Sequence, residues 1–198
     1  MLGLLGGAFD PPHNGHVALA EAAIEQLALE RLLVLVGVAP GHKPVETPVD
    51  QRLRLAQAAF GPVARAEVVR DDHAFTIDAL REGDFAPEDT VFVVGADQLA
   101  GFLAWREPDE VLEHARLAVG TRPGFPRERL EPVLVELEHP ERVGFFTVPE
   151  VPVSSREIRA LAGRGEPVEE LVPPAVARLM ADLGLYRGVD RLPSGELP

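Results

Sequence analysis

The chain of 198 residues contains no cysteine. This absence excludes disulfide bridges, zinc sites built on thiolates, and catalysis by a cysteine nucleophile. Long apolar runs are also missing: none approaches the roughly 20 residues of a membrane span, and the N-terminus lacks the basic start of a signal peptide. We therefore expect a cytoplasmic protein that has no membrane partner.

Basic residues are few, with 19 Lys and Arg against 32 Asp and Glu and a formal net charge of −13. This balance argues against general nucleic-acid binding, which needs a basic surface. It does not exclude a small phosphorylated ligand, because a few local cations can override the global charge. Hydrophobic residues make up 46% and charged residues 26% of the chain, which are globular proportions.

Strand-like and helix-like patterns alternate along most of the chain. Short runs rich in leucine and valine predict buried strands at 2–5, 32–38, 67–69, 90–94, 116–119 and 145–148. Apolar residues three or four apart, together with helix start and stop signals, predict helices at 17–27, 49–60, 76–80, 127–137, 155–161 and 174–183. The alternation predicts an α/β fold with a doubly wound, mostly parallel, Rossmann-like sheet.

The order of these elements also predicts the domain organisation. We expect one domain over residues 1–187, with the Rossmann-like core at 1–153 and a small helical C-terminal part at 154–187. Residues 188–198 are rich in Gly, Pro, Ser and Glu and are expected to form a flexible tail.

The first strand leads into a loop rich in glycine, proline and histidine, Gly6-Gly7-Ala8-Phe9-Asp10-Pro11-Pro12-His13-Asn14-Gly15-His16. In a doubly wound sheet, ligands bind at the carboxyl ends of strands, where a helix N-terminus offers free N–H groups to an anion. Glycines let the backbone approach a phosphate, and His13 and His16 can face the same phosphoryl group. The alternative is a structural turn with two surface histidines, and the length of the pattern favours the phosphate site.

A second candidate phosphate site lies near the C-terminus. Ser154 and Ser155 followed by Glu157 are typical of a helix start. The same helix start would offer N–H groups and a hydroxyl to a triphosphate, and Arg159 would add a cation one turn later. Both interpretations are compatible with the residues alone.

Three further positions have a structural and a functional interpretation. Lys43, which follows His42 in the loop after the second strand, is either solvated or a local cation for a phosphate. Asp97 follows Gly95 and the fourth strand, where a carboxylate caps a helix or binds ribose hydroxyls. For Trp105, the one tryptophan, the residues alone favour a core position, and only a family resemblance implies a functional role.

The glycine- and histidine-rich loop resembles the signature of the nucleotidyltransferase superfamily with the HxGH motif. Within it, the chain is most similar to the bacterial nicotinate-nucleotide adenylyltransferases, from Leu5 to Arg187. The likeness continues in Pro40-Gly41-His42-Lys43-Pro44, Phe75-Thr76, Gly95-Ala96-Asp97-Gln98-Leu99, Trp105, Arg122-Pro123-Gly124, Val153 to Arg159, and Gly184 to Arg187. Two positions differ: Ala8 replaces a common hydroxyl residue, and Arg156 replaces a threonine.

The resemblance implies an enzyme that transfers the adenylyl group of ATP to nicotinate mononucleotide, giving nicotinate adenine dinucleotide and pyrophosphate in NAD biosynthesis. It implies catalytic roles for His13, His16, Lys43 and Arg159, and Mg²⁺ bound with ATP. The implied ATP contacts are Gly6, Gly7, Phe9, His13, His16, Gly95, Asp97, Ser155 and Arg159. The implied mononucleotide contacts are His42, Lys43, Phe75, Thr76 and Trp105, with the pyridine ring stacked on the indole.

Other functions are compatible with the first motif. A related adenylyltransferase would use nicotinamide mononucleotide or phosphopantetheine, and a cytidylyltransferase would use an alcohol phosphate. Pantetheine-phosphate adenylyltransferases are typically shorter, and both Trp105 and the segment at 155–159 argue against that assignment. A nucleotide-binding sensor without catalysis is a different class, against which the intact His13, His16 and Arg159 argue.

Overall fold

A computed structural model of the chain describes residues 1–39, 45, 47–122 and 125–188. Six parallel strands form one sheet in the order β3-β2-β1-β4-β5-β6. The strands are β1 (Leu2–Gly7), β2 (Arg31–Gly37), β3 (Ala66–Asp71), β4 (Thr90–Gly95), β5 (Arg116–Thr121) and β6 (Val143–Thr147). The predicted doubly wound parallel sheet is confirmed.

Helices connect the strands and cover both faces of the sheet. They are α1 (Asn14–Gln26), α2 (Val49–Phe60), α3 (Thr76–Glu82), α4 (Ala96–Ala100), α5 (Pro108–His114), α6 (Glu131–Glu136), α7 (Ser155–Gly163) and α8 (Pro174–Asp182). Three single 3₁₀ turns lie at Phe102–Ala104, Arg127–Arg129 and Pro140–Arg142.

The helix predicted at 127–137 is divided in the structure. A 3₁₀ turn ends at Arg129, and α6 begins at Glu131 with Pro132 in its first turn. Proline has no N–H to donate, so it is tolerated in the first turn of a helix but not in its interior. The position of Pro132 therefore sets where the α-helix begins.

Two hydrophobic clusters lie on opposite faces of the sheet. The neighbouring residues Leu4 and Leu5 of β1 belong to different clusters, because successive side chains of a strand point to opposite faces. The cluster around Leu5 includes Ile158 of α7 and Val176 of α8. The C-terminal helices thus pack on the sheet face that carries α1 and α2.

The strand order reverses between β1 and β4. From β1 the chain moves outward to β2 and β3, then returns to β4 beside β1 and moves outward in the other direction. The two strands pair from Leu2 to Leu4, although both continue, to Gly7 and Gly95. They separate towards their carboxyl ends and open the crevice where doubly wound proteins bind ligands. No helix in the described part of the chain is long and apolar enough to cross a membrane.

Candidate active site

His13 and His16 lie face to face at the start of α1. Their ring centroids are 3.7 Å apart and their planes differ by 24°. Nδ1 of His16 accepts a hydrogen bond from the backbone N–H of His13 at 3.2 Å. In a neutral imidazole one ring nitrogen accepts and the other donates, so the hydrogen of His16 is on Nε2. The start of α1 therefore brings two imidazoles together, and the backbone N–H of Asn14 is already bonded to the carbonyl oxygen of Leu171 at 3.0 Å.

Burial keeps His13 neutral. The residue is 8% exposed, and burial lowers the pKa of its imidazole to about 4. Its Nδ1 is buried and has no hydrogen-bond partner among the described residues. A Cβ added to Gly15 would lie 3.1 Å from this nitrogen, so the absence of a side chain at Gly15 allows the ring to pack against the helix. The HxGH pattern thus reflects close packing as well as chemistry.

The ring of Phe9 packs edge-on against the ring of His16. Its backbone has a φ of 49°, in the left-handed region, and its ring lies 5.2 Å from that of His16 and 5.4 Å from that of Phe60. A Cβ on Gly7 would lie 2.9 Å from the Phe9 ring, so a side chain at position 7 would displace it. The whole Phe9 residue, backbone included, is only 2% exposed, so little of it can reach the predicted ATP.

The start of α7 contacts the histidine-rich loop across more than 140 residues of sequence. Ser154 caps the helix by accepting a hydrogen bond from the N–H of Glu157 at 3.2 Å. Ser155 Oγ donates to the carbonyl oxygen of Pro11 at 2.8 Å. Arg159 Nη1 donates to the carbonyl oxygen of Asp10 at 2.6 Å. The structure thus brings the two predicted phosphate sites together.

Tyr186 also contacts this loop, and the sequence analysis assigned it no role. Its hydroxyl donates to Oδ1 of Asp10 at 2.6 Å. Burial and this hydrogen bond raise the pKa of the phenol, which therefore remains a donor. Tyr186, near the C-terminal end of the described residues, therefore holds the Asp10 carboxylate in place.

Arg52 of α2 is a second residue that the sequence analysis missed. It is 1% exposed, and its guanidinium donates to the carbonyl oxygens of Ala8, Gly37, Val38 and Thr47, at 2.9, 2.7, 2.9 and 2.9 Å. It therefore connects the histidine-rich loop with the end of β2. A signal was present, because position 52 shares the helix face of the buried residues at 55, 56 and 59.

A cleft lies beside the histidine-rich loop, at the carboxyl ends of β1, β2 and β3. We call it the aromatic cleft. Its lining residues include Gly6, Gly7 and Ala8 on one side and Phe75, Thr76 and Trp105 on the other. Trp105 is partly buried, with its ring 5.1 Å from Phe102 and 6.0 Å from Phe92. The three predicted ring contacts thus line one cavity.

Three ionisable residues that line the cleft, Asp71, His73 and Arg106, were not predicted. His73 contacts Asp71 at 2.7 Å and Glu82 at 3.1 Å, and its hydrogen bonds to Glu82 and Asp71 raise its pKa. These contacts connect the end of β3 to the last residue of α3. They therefore brace the turn that carries Phe75.

Asp97 lies on the other side of the crevice, in the first turn of α4. Gly95 is at the cap position of this helix, and its N–H donates to Oε1 of Gln98 at 3.2 Å. The interpretation of Asp97 as the helix cap is therefore wrong, whereas its exposed carboxylate stays accessible to a ligand. The predicted residues His42 and Lys43 lie outside the described residues.

Comparison with known proteins agrees with this geometry. The chain matches the cytidylyltransferase-like family over residues 4–161. A probable nicotinate-nucleotide adenylyltransferase of Thermus thermophilus is 37% identical over 193 residues, which are 94% of this chain and 99% of that protein. Proteins of the same description from Bordetella avium and Moorella thermoacetica are 36% and 33% identical, over 94% of this chain and 98% and 91% of theirs.

A solved structure shares the fold. Plasmodium falciparum nicotinic acid mononucleotide adenylyltransferase, complexed with NaAD, superposes with a TM-score of 0.76 at 14% identity, over 93% of this chain and 96% of that one. The sequence matches extend over nearly the whole chain. The protein with these paired histidines and this aromatic cleft therefore belongs to the nicotinate-nucleotide adenylyltransferases, within the cytidylyltransferase-like family.

Proposed function

We propose that the protein transfers the adenylyl group of ATP to nicotinate mononucleotide. The observation that carries this proposal is the shared wall formed by Gly6, Gly7 and Ala8, which line the aromatic cleft and continue into the histidine-rich loop. A mononucleotide with its ring beside Trp105 would direct its 5′-phosphate along these glycines towards His13 and His16. The phosphates of a second nucleotide would meet it there.

The reaction needs alignment more than it needs a base. An oxygen of the mononucleotide phosphate, already ionised near neutral pH, attacks the α-phosphorus of ATP. The bond from this phosphorus to the bridging oxygen breaks, and pyrophosphate leaves with the electron pair. The remaining task of the protein is to hold the reactants in line and to stabilise the charge of the transition state.

The phosphate contacts follow from the donors at the start of α1 and α7. In our proposal Nε2–H of His16 donates to the α-phosphoryl group, and neutral His13 holds the phosphates. Lys43 and Arg159 stabilise the charge on the departing pyrophosphate. Ser155 orients the loop through Pro11, and its helix start supplies N–H groups.

The remaining contacts orient the two nucleosides. Gly95 allows ATP to approach the end of β4, and Asp97 accepts hydrogen bonds from its ribose hydroxyls. On the mononucleotide side Trp105 stacks on the pyridine ring, and the start of α3 at Phe75 and Thr76 receives the ring substituent. The family resemblance assigns His42 to the same substrate.

Mg²⁺ would enter with ATP. The described residues include no group of three or more His, Asp or Glu side chains that could hold a metal ion, and the Asp10 carboxylate already accepts from Tyr186. This donor set fits an ion held mainly by triphosphate oxygens and water. When bound, Mg²⁺ would neutralise phosphate charge. We assign the reaction to the cytoplasm, with which a chain without cysteine is compatible.

A product assay tests the proposal. Purified protein is incubated with ATP and Mg²⁺ and with nicotinate mononucleotide, nicotinamide mononucleotide or phosphopantetheine, and pyrophosphate and the dinucleotide are quantified. We expect the fastest turnover with nicotinate mononucleotide. Absence of pyrophosphate with every acceptor, while ATP still binds, would instead indicate a nucleotide sensor.

A further inference from the structure

Arg106 lies in the wall of the aromatic cleft, directly after Trp105. Its guanidinium carbon is 5.0 Å from the centroid of the Phe75 ring, and its Nη1 is 3.5 Å from Oδ2 of Asp78. Both contacts are with α3 and the residue before it, so they hold the cation beside the predicted ring site. The side chain remains 48% exposed, which leaves it accessible from the cleft.

Within the described residues Arg106 forms an ion pair with Asp78 but donates no hydrogen bond. A guanidinium carries five N–H donors, and the described residues accept no hydrogen bond from that of Arg106. Arg81, which lies 3.7 Å from the same Asp78, differs in this respect. It donates to Glu107 at 2.6 Å and to Glu110 at 2.6 and 2.5 Å, so its charge is already matched within the protein.

The other ionisable side chains of the cleft are paired with each other. Among the described lining residues these are Asp71 and His73, which are 2.7 Å apart. His73 also contacts Glu82, so its imidazole faces two carboxylates. Among the described residues that line the cleft, Arg106 is therefore the cation whose N–H donors stay available to a ligand.

We propose that Arg106 determines specificity by binding an anionic substituent on the mononucleotide ring. This inference rests on the proposed function and deepens it. Stacking beside Trp105 does not distinguish a nicotinate from a nicotinamide ring, because both present nearly the same aromatic face. A carboxylate only accepts hydrogen bonds, and those from a guanidinium are charge-assisted. An amide offers one neutral oxygen and directs its NH₂ group towards a donor.

Steady-state kinetics with both mononucleotides test the inference. We expect Arg106→Gln to lower the acid-to-amide ratio of kcat/KM about tenfold, mainly through a higher KM for the acid, because a neutral donor replaces a charged one. Arg106→Lys, which keeps the charge, should retain most of the preference. The matched control is Arg31→Gln, which makes the same charge change at a side chain 56% exposed at the amino end of β2, whereas the aromatic cleft lies at the carboxyl ends of the strands. It should leave the ratio unchanged.

Direct binding provides a readout that is independent of turnover. Trp105 is the one tryptophan of the chain, so quenching of intrinsic fluorescence reports on ligands in the aromatic cleft. In titrations without ATP, Arg106→Gln should weaken nicotinate mononucleotide binding about tenfold and nicotinamide mononucleotide binding less than about twofold.

The outcomes separate this inference from the proposed function. An acid preference equal to that of the wild type in folded Arg106→Gln, by kinetics and by fluorescence, overturns the role of Arg106 and leaves adenylyl transfer intact. Failure of the wild type to release pyrophosphate overturns the proposed function, and the fluorescence titration still decides whether Arg106 selects the carboxylate. If Arg106→Gln does not fold, the same measurements are made on Arg106→Ala, where an acid preference equal to that of the wild type again overturns the inference.

Discussion

His16 shows how a single side chain acquires a defined role at the residue scale. Nδ1 of His16 accepts a hydrogen bond from the backbone N–H of His13, so the ring hydrogen is on Nε2. The helix start thereby fixes the direction in which this hydrogen points. In His16→Ala we expect kcat to fall by a factor on the order of 10²–10³, as when other transition-state donors are lost, with a smaller effect on ATP binding. The control is His139→Ala, at an exposed histidine paired with Glu141. Unchanged kcat in a folded His16→Ala protein would contradict the assignment.

The buried imidazole of His13 predicts a pH dependence of stability. Its pKa is about 4 in the folded chain and about 6.5 when unfolded, so the unfolded state binds more protons between these values. Above pH 6.5 His13 is neutral in both states, and the free energy of unfolding does not depend on its protonation. As the pH falls towards 4, the unfolded state takes up a proton that the folded state does not, and the free energy of unfolding decreases. Between pH 7.5 and pH 5 the loss is about 2 kcal/mol.

Urea denaturation of the wild type and of His13→Asn at several pH values measures this loss. The difference in unfolding free energy between the two proteins should shrink as the pH falls. Taking the difference cancels the opposite contribution of His73, whose raised pKa gives stability at low pH that is lost as the pH rises. A difference independent of pH would show that His13 titrates normally.

At the scale of elements, the start of α7 acts through the loop that it contacts. Arg159 reaches the Asp10 carbonyl, whereas Arg156 is exposed on the same helix. We therefore expect Arg159→Ala to raise the KM for ATP and lower kcat/KM more than Arg156→Ala does, as measured by pyrophosphate release. The reverse order would indicate that Arg156 has taken over the phosphate contact.

Local signals predicted most elements, and their failures have local causes. The apolar spacing of α2 predicted its bounds at 49–60, as observed. No bounds were predicted for the short helices α4 and α5, of five and seven residues, whereas α3, which also has seven residues, was predicted from its start at Thr76. A Pro inside the predicted helix at 127–137 was the available sign that it would be divided.

At the scale of the whole molecule, Arg52 joins segments that are far apart in sequence. Its guanidinium serves four carbonyl oxygens, and Arg52→Met would leave them buried without this donor. We expect a loss of about 3 kcal/mol in unfolding free energy by urea denaturation. Arg54→Met, on the exposed side of the same helix, should change it by less than about 0.5 kcal/mol. Equal effects of the two substitutions would contradict the bridging role.

The sequence by itself determined the alternation of strands and helices and the position of the histidine-rich loop after β1. It also determined the helix start at Ser154. These features depend on residues within a few positions of each other, through periodicity, glycine spacing and capping. The resemblance to a family rests on the same short motifs, which is why it led to the family that the comparisons show.

Only the tertiary structure decided which residues support those motifs. Arg106 carries no local signature of a site, and the helix-face position of Arg52 indicates burial only. Tyr186 meets Asp10 across 176 residues of sequence. The reason is physical: a hydrogen bond or a cation–π contact depends on distance in space, which the crossing of strands and the packing of helices set. The sequence specifies the groups that we propose to contact ATP and the mononucleotide, and the fold selects the side chains that hold those groups in place.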